Sequence, residues 1–160
     1  MTPAEAADAL FNTMPKPITA SQLEEYGIET SDSSAQYIAR EILSLNLYWI
    51  LAAVDAHIPT KYRAAITEQL IESIQKTWWE SRQFGPGTWD TYQDELTERR
   101  EHYARLVDQE RISHAGICAE TASLIEDQGF ISPEDRPNLL VLLIDYAPAS
   151  EYGRLLEEAF

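Results

Sequence analysis

Apolar positions recur along this chain at three- and four-residue steps, and one stretch stands apart from that rhythm. From Ile42 to Val54 the residues read ILSLNLYWILAAV, with only Ser44 and Asn46 clearly polar. Arg40 and Glu41 precede the run and Asp55 follows it. A membrane-spanning helix needs ~20 apolar residues. This run is shorter and bounded by charge, so it reads as the spine of a core.

Prolines, glycines and capping residues divide the rest of the chain. A first helix is predicted over 3–13, capped by Thr2 and stopped by Pro15 and Pro17. A second starts at Thr19 or Ser21 and ends at Gly27. The stretch ETSDSSAQ supplies cap residues for a third helix over 33–57, which stops before Pro59. Thr60 is expected to cap a fourth over 61–82. Its Ile66, Leu70, Ile74 and Trp78 form one stripe opposite Glu68, Glu72, Gln75 and Lys76. The turn FGPGT (84–88) separates it from a fifth helix, which opens at Thr88. There Trp89, Tyr92, Leu96, Arg99, Tyr103 and Leu106 trace a bundle seam.

A break is expected near Ser113, then a sixth helix to Gln128 with Gly129 as terminator. In SPEDRP (132–137), Ser132 caps, Pro133 fits a first turn, and Pro137 marks a new start. NLLVLLIDYA could be strand or helix, since a solid apolar run shows no period. With no partner strand elsewhere it is taken as a short buried helix, closed by Pro148. A last helix over 150–159 sets Tyr152, Leu155, Leu156 and Ala159 on one face. The expected fold is all-α: a single domain over 1–160, a bundle of about seven or eight helices around the hydrophobic helix at 33–57.

Turned at 100° per residue, that central helix carries Tyr37, Glu41, Ser44, Tyr48 and Asp55 along one edge. The edge is either solvated between neighbours or the wall of a cleft, where tyrosines frame carboxylates as in a ligand site. Asn46 lies near the opposite side, where a buried amide must find partners.

Composition adds constraints. Apolar residues make up 44% of 160, enough for a core without disulfides. The formal charge of −15 argues against binding duplex nucleic acid through phosphates, which needs clustered bases, and against an anionic membrane face. Residues 34–84 hold five acids and five bases, whereas 85–128 hold ten acids and four bases. That contrast suggests a neutral inner hairpin wrapped by acidic outer helices. Cys118 is the only cysteine, so an intrachain disulfide is excluded and a reducing compartment is expected. The N-terminus MTPAEAADALFNTMP has no signal-peptide pattern, which points to the cytoplasm.

Candidate chemistry is sparse. Glu110, His114 and Cys118 are spaced four and four, a metal-ligand set if one helix carries all three. His102 follows Glu98 at i+4, the spacing of a solvated pair. There is no diiron Glu-x-x-His motif, phosphate loop or Gly-x-Ser-x-Gly elbow, and nothing implies a cofactor. Arg99 interrupts an apolar seam. It either sits at a rim or meets a carboxylate inside, with Asp55, Glu41 and Asp145 as candidates. Trp78 and Trp79 are adjacent, so one should enter the core and the other be partly exposed. With Arg82, Phe84 and Trp89, Trp79 would form either an interface patch or an aromatic staple for the hairpin.

The stretch GFISPEDRPNLLVLLIDYA, about a tenth of the chain, resembles a proline-and-acid turn before a buried helix in helical chaperones for molybdoenzyme maturation. The resemblance implies a maturation chaperone and assigns no residue a role. The residues themselves suggest a non-catalytic protein–protein interaction or regulatory protein, of the adaptor, inhibitor or immunity type. Its partner would be another protein or a second copy of the chain. A ligand-binding bundle using Tyr37, Glu41, Tyr48, Asp55 and Arg99, or a metal site, is the second reading. An enzyme with an unfamiliar site is the third.

Overall fold

The helix Asp32–His57 runs through the middle of the molecule, and most other helices are laid against it. The computed structural model describes all residues from Met1 to Phe160 and contains no strand. In chain order the helices are α1 (Pro3–Thr13), α2 (Ala20–Glu25), α3 (Asp32–His57), α4 (Thr60–Ile74), α5 (Trp89–Asp108), α6 (His114–Asp127), α7 (Arg136–Asp145) and α8 (Ala149–Leu156). A π turn, Gln75–Trp79, extends α4, and a 3₁₀ turn, Pro133–Asp135, leads into α7.

Side-chain caps fix most starts. Thr2 and Thr19 form reciprocal capping boxes with Glu5 and Gln22. Ser31, Thr88 and Ser113 each accept from a backbone N–H three residues on. Thr60 does not cap α4. It is the first helical residue, after Pro59, and no side chain caps that end. Arg63 instead reaches back to the carbonyls of Ile58 and Asp55, both at 2.8 Å, satisfying the end of α3. Gly129 ends α6 at φ +82°, which lets the Phe130 N–H close back on the Ile125 carbonyl at 3.2 Å.

One continuous core of 39 buried residues draws members from every α-helix, as a single all-α domain requires. Every residue from Ile38 to Tyr48 is buried. This covers about three helical turns, so α3 presents no wet side there. At 26 residues α3 is long and apolar enough to span a bilayer, contrary to the expectation from residues 42–54 alone. Its apolar surface is already used, since 78% of its most hydrophobic window is buried within the fold.

Two expectations about packing change. The inner-hairpin picture fails because α4 has one apolar stripe, Ile66, Leu70 and Ile74, spent mainly on α1. The closest companions of α3 are α8, α5 and α6. The α7 segment is helical as expected but only half enclosed. Leu139, Leu142 and Leu143 are buried, whereas Val141 is 55% exposed and Ile144 43%. A helix lying on a core can bury one face; six consecutive apolar residues cover more than one.

Candidate functional site

The polar edge of α3 divides into three environments. At its start Tyr37 stacks on Phe130, centroids 4.6 Å apart and planes 10° apart, which ties α3 to the turn after α6. In the middle Glu41 is buried and accepts a bidentate pair from Arg99, Nε to Oε2 at 3.0 Å and Nη2 to Oε1 at 2.8 Å. Of the three carboxylates considered for Arg99, Glu41 is the partner. The Glu41 hydrogen bond pushes the Arg99 guanidinium further up from its already high range. One residue earlier, Arg40 is buried too. Its Nε donates to Glu95 at 2.6 Å and its Nη1 to the Pro86 carbonyl at 3.0 Å. Ser44 completes this middle section, 3.0 Å from the Tyr92 hydroxyl. These groups satisfy one another and leave no ligand cavity between them.

At the far end the edge opens. Tyr48 and Asp55 face Arg100, Glu101 and Asp108 of α5 across a groove of about 630 Å³. Its floor is small, with Ala52 and Ala56 from α3 and Ala104 from α5. The ring of Tyr48 is held edge-on by Trp49 and Tyr103, at 5.0 and 5.6 Å. Burial first, then the nearby Asp108, raises the Tyr48 phenol pKa, and Arg100 partly offsets this. The five residues expected to form one ligand site therefore do not converge. Tyr48 and Asp55 share the groove, Glu41 and Arg99 neutralise each other beneath the surface, and Tyr37 lies elsewhere.

The other two candidate sets also change. Glu110 cannot join His114 and Cys118 because α5 ends at Asp108 and α6 starts at His114, with Arg111 at φ +56° between them. His114 lies 3.9 Å from the Cys118 sulfur, and no three metal-ligating side chains gather anywhere. Burial pushes the Cys118 thiol up to about 11, away from the thiolate a nucleophile needs. His102 bonds Glu120 of α6 at 2.9 Å rather than Glu98.

The expected interface patch is largely internal. Phe84 is 2% exposed, and Trp79 packs between it, Trp89 and Tyr92 at 5.1–5.9 Å. The Arg40 guanidinium lies 5.3 Å from the Trp79 ring. The π turn adds a residue to one helical turn, and Trp78 stacks on Phe11 while meeting Phe84 edge-on, the ring on which Trp79 stacks. Only Arg82, at φ +59°, remains outside. The cluster staples the hairpin.

A surface the sequence reading did not single out is the outward side of α7. Pro137, Leu140, Val141 and Ile144 follow i, i+3, i+4, i+7 spacing, and all but half-buried Leu140 are exposed. Beside them a hollow of about 320 Å³ lies between α6 and α7, lined by Ala119, Ala122, Pro133, Arg136, Pro137 and Leu140. Glu134 and Asp135 precede this face and Asp145 ends it. The available signal was the excess of apolar residues over what a ten-residue helix can bury on one side.

No family model, curated protein or solved structure matches this chain. The resemblance of residues 129–147 to maturation chaperones thus gains no support from a family match.

Proposed function

We propose that this protein is a non-catalytic interaction module that holds another protein through the outward face of α7. The observation behind this reading is the exposure of Val141 and Ile144 on a helix whose other face is fully packed. Exposed aliphatic side chains in line along a helix are costly to leave in water and gain by coverage. An amphipathic helix is the partner that fits, laying i, i+3, i+4 anchors into the hollow beside Leu140. The acidic residues at both ends of α7 favour basic flanks on that helix.

Site-specific photo-crosslinking in the native host tests this directly. A photoreactive residue at Val141 should give a discrete crosslinked product, and one at exposed Glu68 on α4 should not. A product containing only this chain would identify the partner as a second copy. No product at 141 above the level at 68 would overturn the reading.

A further inference from the structure

The geometry points to the groove between α3 and α5 as a binding site for an aliphatic amine or guanidinium, free or carried on a lysine or arginine side chain. This site is separate from α7 and does not depend on the interaction proposed there.

Charge supplies one argument. Asp55, Glu101 and Asp108 line the groove against a single base, Arg100. None of these four side chains takes part in an ion pair within the chain, whose ion pairs all lie elsewhere. Their charge is uncompensated inside a concave surface, where a bound cation is attracted more strongly than on open surface.

Tyr48 supplies a second, independent argument. The residue is only 8% exposed, its ring locked between Trp49 and Tyr103. Its hydroxyl makes no hydrogen bond within the chain and borders the groove, whereas the hydroxyls of the other buried tyrosines, Tyr92, Tyr103 and Tyr152, are all bonded. A fixed phenol oxygen is a ready acceptor for an ammonium or guanidinium N–H. The alanine floor fits the rest of such a ligand. Ala52, Ala56 and Ala104 leave a narrow apolar track on which a methylene stem can lie while its charged end meets Tyr48 or a carboxylate.

The test is a titration of the full chain with spermidine at low salt, followed by amide chemical shifts. A lysine-containing peptide, N-acetyl-Lys-amide, forms a parallel arm. Saturable shifts confined to residues 48–56 and 97–108 are expected. Tyr48→Phe should weaken binding roughly tenfold while keeping the ring in place. D55N/D108N should weaken it by more than that. D90N/D94N removes the same charge from exposed positions of α5 and should change affinity less than about twofold. Tighter binding of spermidine would mark a free polyamine as the ligand; tighter binding of the lysine derivative would mark a protein side chain. Shifts spread over the acidic surface without saturation would overturn the site. So would equal losses in D55N/D108N and D90N/D94N, or an unaltered affinity in Tyr48→Phe.

Discussion

The buried charged and amide side chains of α3, Arg40, Glu41 and Asn46, are tolerated because each is hydrogen-bonded within the fold. Asn46 shows this best. Its Nδ2 donates to the carbonyls of Ile42 and Tyr146 at 2.9 and 2.8 Å, and its Oδ1 accepts from the Tyr152 hydroxyl at 2.7 Å. One amide thus joins α3 to α8 and to the end of α7. The Glu41–Arg99 pair makes the corresponding link to α5 and carries a sharper prediction. Glu41→Leu or Arg99→Met alone leaves a buried charge without its partner and should cost about 2–4 kcal/mol. That is somewhat below the loss for a fully enclosed pair, since Arg99 keeps 16% exposure. The double variant E41L/R99M should recover to within about 1 kcal/mol of wild type. Chemical denaturation of the four proteins measures the cycle; single variants within about 0.5 kcal/mol of wild type would mean the pair is only peripheral. Arg99 was conspicuous in the sequence because it broke an apolar seam. Arg40 was not, because its partner Glu95 lies 55 residues away and no local spacing connects them.

At the scale of the element, starts and stops were legible where chemistry is local. The starts of α1, α3, α5 and α6 follow from Thr2, Ser31, Thr88 and Ser113, and the ends of α1, α3 and α6 from Pro15, Pro59 and Gly129, whereas α5 ends at Asp108, before the expected break near Ser113 and with no such stop. The π turn after Ile74 has no such local signature, and nothing in QKTWW announces it. The orientation of α7 was also hidden, because which of its apolar residues face inward depends on where α6 lies. Its outward face makes a second prediction. V141E/I144E should keep stability within about 0.5 kcal/mol of wild type, since neither side chain is part of the core. The same variant should lose the crosslink formed from a neighbouring position on α7, such as Pro137. A large loss of stability would show that the face serves the fold and not a partner.

The whole molecule combines a spine enclosed from Ile38 to Tyr48 with an acidic balance of −15. Its buried or hydrogen-bonded phenols link stability to high pH. Hydrogen bonding to Asp145, then burial, pushes Tyr26 up to about 12, and burial chiefly raises Tyr92, Tyr103 and Tyr152 as well. In the unfolded chain these groups titrate near ~10. Above that pH the folded state binds more protons than the unfolded state, so stability should fall as pH rises, with the full contribution retained below it. Denaturation midpoints measured from about pH 8 to 12 should hold up to about pH 10 and then decline, with the phenolate absorbance of these groups rising only as the protein unfolds. A flat profile would mean that the phenols titrate freely in the native state.

Enclosure of α3 leaves the α7 face and the α3–α5 groove as the surfaces proposed for binding. Native-state hydrogen exchange measures it residue by residue. Amides from Ile38 to Leu51 should exchange slowest of all, through global unfolding alone, and those of α4 and α7 should open sooner. Exchange across Ile38–Leu51 as fast as in α4 would contradict an enclosed spine.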